Sequence, residues 1–264
     1  MVAELSGNHG GGLDKALKLV SAAKEAGADA IKLQTYRPDT ITVRGTDSRF
    51  KLKTGLWKGK LLHDLYEQAM TPWEWHPLIA KEARNQGMIC FSSPFDESAV
   101  DFLEESMQPG LYKVASFEMN HFPLLERIGK TEKPVLASVG VSESQEIFNA
   151  LKVLKGAGCP EVILLHCVSE YPAKPSDFCL HRMPLLESDY KVKFGLSDHS
   201  LGHLVAVAAT ALGARVIEKH LCLDRDESSI DGAFSMLPQE FAELVSAVRL
   251  THEAMSGSQC PQES

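Results

Sequence analysis

The chain has 264 residues, with 27 basic and 35 acidic side chains and a formal charge of −8. A 44% hydrophobic, 23% charged composition excludes disorder and a disulfide-dense mini-domain, and the acidity argues against sequence-independent nucleic-acid binding. The length suits a single α/β barrel, which typically runs to about 250 residues.

Taken in order, short apolar or β-branched runs alternate with amphipathic stretches. Strands are predicted over Val2–Leu5, Ala30–Gln34, Met88–Ser92, Leu111–Val114, Val135–Ser138, Val162–His166, Phe194–Leu196 and Arg215–Lys219. Helices are predicted over Asp14–Ala26, Trp73–Asn85, Ser98–Glu105, Ser144–Lys155, Gly202–Leu212 and Pro238–Met255. Ser142 is the expected N-cap of the fourth helix, Pro72 the expected first-turn proline of the second, and Asp96 a cap or loop brace. Gly27, Gly87, Gly158 and Gly213 each stand between a helix and a strand, as helix-terminating glycines do. Eight strands separated by helices or helix-bearing loops predict a (β/α)8 TIM barrel over residues 1–255, with 256–264 as a flexible tail. The stretch from Arg37 to Lys60 has no regular pattern, and a loop of that length in a compact domain is usually functional.

No run of about 18 apolar residues is present, so no membrane span is expected. The first residues lack a basic segment followed by an apolar run, which argues against a secretory signal. The six cysteines contain no C-x-x-C pair, which argues against a zinc site or disulfide framework; a reducing cytoplasm is the expected compartment.

In a barrel the chemistry sits at the C-terminal ends of the strands. Those ends offer Glu4, Lys32, Gln34, Ser92, Ser93, Lys113, Ser116, Ser138, His166, Ser197, Asp198, His199, Glu218 and His220. Lys32 and Lys113 lie in apolar strands, where a lysine is costly unless paired or snorkelling. With the hydroxyls of Ser93, Ser116, Ser138 and Ser197 they can form a clamp for a phosphate and a carboxylate. His199 and His220 end neighbouring strands and can share a divalent cation. Glu4 and Asp231 can hold substrate hydroxyls or move protons, and Glu118 can orient a loop or a lysine.

Several segments together resemble one family. They are Ala3-Glu4-Leu-Ser-Gly-Asn8-His9, Lys32-Leu-Gln34-Thr, Phe91-Ser-Ser-Pro-Phe95-Asp96, Tyr112-Lys113-Val-Ala-Ser116-Phe-Glu118, Leu196-Ser197-Asp-His199 and Ile217-Glu218-Lys-His220. They resemble the sialic acid synthases, which condense phosphoenolpyruvate with an amino sugar to give nonulosonic acids. Gln34-Thr-Tyr-Arg-Pro-Asp-Thr-Ile and the segment from Leu62 to Trp75 are most similar to the pseudaminic acid branch, whose sugar is a 6-deoxy diacetamido-altrose. His166-Cys-Val-Ser-Glu170-Tyr171-Pro is closer to the sialic and legionaminic branches, where an N-acetylmannosamine-like sugar is expected.

The resemblance implies catalytic roles for Glu4, Lys32, Lys113, His199 and His220. It places phosphoenolpyruvate against Lys32, Ser93, Lys113, Ser116, Ser138 and Ser197, and the open-chain sugar against Glu4, Gln34, Tyr171 and Asp231. It adds Ser169 and Glu218 to the substrate-binding set and makes His199 and His220 ligands of Mn2+ or Mg2+. Ser93 replaces the threonine of many members, Ser169 the asparagine of some, and Ser228-Ser229-Ile230-Asp231 stands for a Gly-Gly-Pro-Asp-like loop. Family members carry a small C-terminal antifreeze-like domain, which the resemblance does not extend to here, and a homodimer is expected. Two other readings are a phosphoenolpyruvate–sugar-phosphate synthase and a catalytically idle barrel acting as an assembly subunit.

Overall fold

A computed structural model describes residues 1–226 and 229–257. Eight parallel strands close a barrel in sequence order. They are β1 (Val2–Glu4), β2 (Ala30–Thr35), β3 (Ile89–Pro94), β4 (Tyr112–Val114), β5 (Val135–Ser138), β6 (Val162–Cys167), β7 (Phe194–Asp198) and β8 (Ile217–His220). Around them run α1 (Leu13–Glu25), α2 (Pro38–Ile41), α3 (Leu62–Ala69), α4 (His76–Asn85), α5 (Glu97–Ser106), α6 (Phe122–Gly129), α7 (Ser144–Gly156), α8 (Met183–Tyr190), α9 (Leu204–Ala211) and α10 (Pro238–Ser256). The tail expected at 256–264 begins where α10 ends; residues 258–264 lie outside the described residues.

The helices predicted from periodicity form within a few residues of their expected ends, whereas α2, α3, α6 and α8 carry too short a pattern to be read. Two capping expectations are corrected. Glu143, not Ser142, caps α7, in a reciprocal box whose Glu143 amide donates to Glu146 Oε2 at 2.7 Å. Pro72 precedes a 3-10 turn at Trp73–Trp75, and Pro77 is the proline in the first turn of α4. Asp96 does cap α5, accepting from the Ala99 amide at 3.1 Å. Gly27, Gly87, Gly158 and Gly213 all adopt positive φ, between 70° and 116°, so each ends its helix as expected.

A strand's side chains alternate between faces, so every second residue of each strand enters the lumen. The lower lumen is filled by Val2, Ala30, Phe91, Leu136 and Leu165. Gly195 belongs to this crowded layer: an added Cβ would sit 2.5 Å from the Val216 carbonyl and 2.8 Å from Leu165. Two residues further along, the same faces present Glu4, Lys32, Ser93, Lys113, Ser138, Ser197 and Glu218. The opposite faces pack the strands against the helices through Ile31, Leu33, Tyr112, Val114, Leu164 and Leu196. At about 25 cal/mol per Å² of apolar surface removed from water, this second layer is the main source of stability.

Candidate active site

Above the apolar plug lies a buried layer of charge. Register places Glu4 beside Lys32 on one side and His220 on the other, and Ser197 beside Glu218. Lys32 Nζ bonds the Glu4 carboxylate, donates to Ser93 Oγ at 3.3 Å and stands 3.6 Å from Glu218. Lys113 Nζ donates to Glu218 Oε1 at 3.2 Å, and the Ser197 hydroxyl donates to the same oxygen at 3.1 Å. Both lysines and both glutamates are buried, so each offsets the other's desolvation. Burial pushes the Glu218 carboxyl up, but Lys113 and Lys32 outweigh it and hold the group down at about 2. Burial lowers the Lys32 ammonium, yet Glu218 and Glu4 leave it above its ordinary value. For Lys113 burial wins, aided by repulsion from Lys32, and its ammonium sits below the ordinary value.

This layer floors a cavity of about 420 Å³ at the C-terminal ends of the strands. Lys32, Gln34, Lys113, Ser116, Ser138, Tyr171, Ser197, His199, Glu218, His220 and Asp231 all line it. Glu4 and Ser93 lie against Lys32, beneath the lining. Ser169 does not join them: it lines a neighbouring cavity of about 510 Å³, separated by Cys167, which borders both. Ser92, His166 and Asp198 are corrected as well. Their side chains point away from the lumen, to Thr35 Oγ1 at 2.7 Å, the Phe178 carbonyl at 2.5 Å and Lys219 at 2.7 Å. Position at a strand end fixes a residue's height in the barrel, whereas the two-residue period of the strand decides which way it faces. A surface groove of about 640 Å³ between α6 and α7 touches none of these residues.

The Ser138 hydroxyl is buried with no hydrogen-bond partner among the described residues. It faces the cavity with the two ammonium groups, a donor set for an anion. His199 and His220 stand side by side, ring centroids 5.4 Å apart. His199 Nδ1 is engaged by the Val168 carbonyl at 2.9 Å, which leaves Nε2 as its ligating atom. His220 Nδ1 is buried and unpartnered, with Asp231 Oδ2 at 3.8 Å. Two imidazoles and a carboxylate, one ring nitrogen unsatisfied, fit a divalent cation. Burial and the charges of His199 and Lys32 keep His220 well below its ordinary value, hence neutral and able to ligate. The His, Asp and Glu group whose ligand atoms converge within 4.8 Å among the described residues is instead His63, Asp64 and Glu67. It lies on α3, its two acids are exposed, and His63 Nε2 already binds Asp39 at 2.8 Å.

Sequence reasoning missed the aromatic wall. Tyr36, Trp57, Tyr66, Phe95 and Phe234 line the cavity beside Tyr171. Trp57, from the long irregular stretch, donates its indole N–H to the Ile230 carbonyl at 3.2 Å and packs on Tyr171 and Phe234. Phe234 in turn stands 4.9 Å from His220 and 5.1 Å from Tyr171, ring to ring. Asn8 holds the last loop by accepting from the Asp231 amide at 3.1 Å and donating to the Leu221 carbonyl at 2.9 Å. Glu118 lines the cavity too; burial, partly offset by Lys113, lifts its carboxyl to about 7. Burial and the Glu4 charge lift Asp231 to about 6.

A parallel barrel with an anion clamp, a histidine pair and an aromatic wall at its mouth defines a small-molecule enzyme site. The NeuB family model matches residues 19–260, and the chain belongs to that family. It is 45% identical over 255 residues to the pseudaminic acid synthase of Campylobacter jejuni subsp. jejuni serotype O:2, covering 97% of this chain and 74% of that one. It is 40% identical to the pseudaminic acid synthase of Helicobacter pylori, covering 94% of this chain and 73% of that one. Among solved structures, the N-acetylneuraminic acid synthetase of Leptospira borgpetersenii superposes with a TM-score of 0.87 at 31% identity, covering 100% of this chain and 87% of that one.

Proposed function

We propose that the protein is a nonulosonic acid synthase that joins phosphoenolpyruvate to an open-chain N-acetylated amino sugar and releases phosphate. The observation that carries this reading is the coexistence, in one cavity, of a buried two-lysine clamp and a histidine pair in which His220 Nδ1 is buried and unpartnered. Lys32 and Lys113 face the phosphate and carboxylate of phosphoenolpyruvate, with Ser116, Ser138 and Ser197 supplying neutral donors. Their charge is fixed before substrate arrives, so no reorganisation is needed as charge develops. C3 of phosphoenolpyruvate adds to the sugar aldehyde, water adds at C2, and the resulting tetrahedral centre expels phosphate. His199 and His220 would hold Mn2+ or Mg2+, which supplies Lewis-acid polarisation when bound. Glu118, lifted to about 7 by burial, is placed to exchange a proton near neutral pH.

The sugar reading is a 2,4-diacetamido-2,4,6-trideoxy-altrose. Support comes from the identity to the two pseudaminic acid synthases and from the apolar wall of Ile41, Leu52, Trp57 and Phe234, which suits a methyl and acetamido groups. A sugar-phosphate acceptor is disfavoured, because no arginine lines the cavity among the described residues to clamp a second phosphate. The test is phosphate release from phosphoenolpyruvate with a panel of amino sugars and added Mn2+. His199→Ala and His220→Ala should each abolish metal-stimulated release. Full turnover in either variant refutes the cation assignment, and no release with any sugar in the panel points to the idle barrel.

A further inference from the structure

The two candidate cation ligands are each followed or preceded in the chain by a charged residue that the mechanism leaves unused. Asp198 precedes His199, and Lys219 precedes His220. Both point away from the lumen, both are fully buried, and they are register partners across β7 and β8. Lys219 Nζ donates to Asp198 Oδ2 at 2.7 Å and to the Ser200 carbonyl at 2.6 Å. Asp198 Oδ1 accepts from the Ser200 amide at 2.8 Å and from its hydroxyl at 2.7 Å. His199 is thus bracketed by residues 198 and 200, and both brackets are tied to the residue next to His220.

We infer that Asp198, Lys219 and Ser200 form a positioning clamp that sets the spacing and orientation of the His199–His220 pair for a shared cation. This rests on the cation reading above. A buried ion pair is a poor route to stability, since apolar residues of similar volume often serve as well or better. What an apolar pair cannot supply is direction. Lys219 fixes two points of the turn around His199 from the neighbouring strand, while the Val168 carbonyl fixes the ring from the other side. The arrangement is the backbone counterpart of the outer hydrogen bonds that orient metal ligands, whose loss typically weakens affinity by roughly 10- to 100-fold.

The experiment is Mn2+ titration of the purified protein, read by electron paramagnetic resonance, with the thermal midpoint as the control for folding. Asp198→Leu combined with Lys219→Met should keep the midpoint near that of the parent yet weaken Mn2+ binding by roughly 10- to 100-fold. Asp198→Asn keeps an oxygen for the Ser200 donors and should lose less. Parent-like affinity in the folded double variant overturns the clamp. If the double variant does not fold, Asp198→Asn decides: a weakened affinity supports the clamp and an unchanged one overturns it. His199→Ala is run alongside. If it leaves Mn2+ binding intact, the cation reading itself falls and the clamp with it; if it abolishes binding while the clamp variants do not, only the clamp falls.

Discussion

The floor and the wall of the cavity are built on opposite principles. The floor is four buried charges on β1, β2, β4 and β8, locked by strand register and by one another. The wall is a set of rings from loops and from α3, far apart in sequence: Trp57 reaches Ile230, 173 residues away. The floor has little freedom to vary, because each ion's desolvation is offset by its neighbours. The wall can change one ring at a time, so on the proposed function it is where acceptor choice would be tuned without disturbing the floor.

Substitutions can break or sharpen that contrast. The largest effect is expected from Glu218→Ala, which leaves Lys32 and Lys113 with one buried carboxylate between them. Loss of one partner from a buried ion network costs ~3–5 kcal/mol, and the thermal midpoint should fall accordingly. A near-parental midpoint would mean that water, not Glu218, compensates the lysines.

Next comes Glu118, at the border of floor and wall. The folded protein holds this carboxyl's proton up to about 7, against an ordinary 4.5. The unfolded chain releases that proton earlier, so stability falls as pH rises from about 4.5 to about 7. Glu118→Gln should remove this loss, gaining up to ~3 kcal/mol at pH 8 and little at pH 4. Calorimetric midpoints across that range check it; parallel curves for parent and variant would place Glu118 in solvent.

The smallest effect is expected from Trp57→Ala. Loss of one hydrogen bond and its ring contacts, worth ~1 kcal/mol, should raise the KM for the sugar about fivefold. The KM for phosphoenolpyruvate should stay unchanged; an equal rise in both would show that floor and wall are not separable.

The same contrast explains what the sequence made legible. Lys32, Lys113, Ser138 and His220 sit in regular strands and His199 directly follows one, so their position in the barrel follows from local pattern. Ser92 and His166 were mistaken for lumen residues because strand-end position fixes height but not facing. Tyr36, Trp57 and Phe234 were missed because nothing local says where a loop ring will land. Ser169 follows β6 by two residues, yet the loop carries it past Cys167 into the next cavity. α6 and α8 escaped prediction for a different reason: eight residues with a proline in the first turn leave little periodicity to detect.

The order in which the floor's charges leave the ribosome has a further consequence. Lys32 and Lys113 emerge early, with only Glu4 to balance them; Glu218 arrives on the last strand. A nascent chain stopped short of β8 would have to enclose two cations with one carboxylate, so closure of the ring is penalised until the final strand is available. The floor's charges therefore balance only once β8 has joined β1 and β7, which ties the readiness of the cavity to the last step of barrel closure.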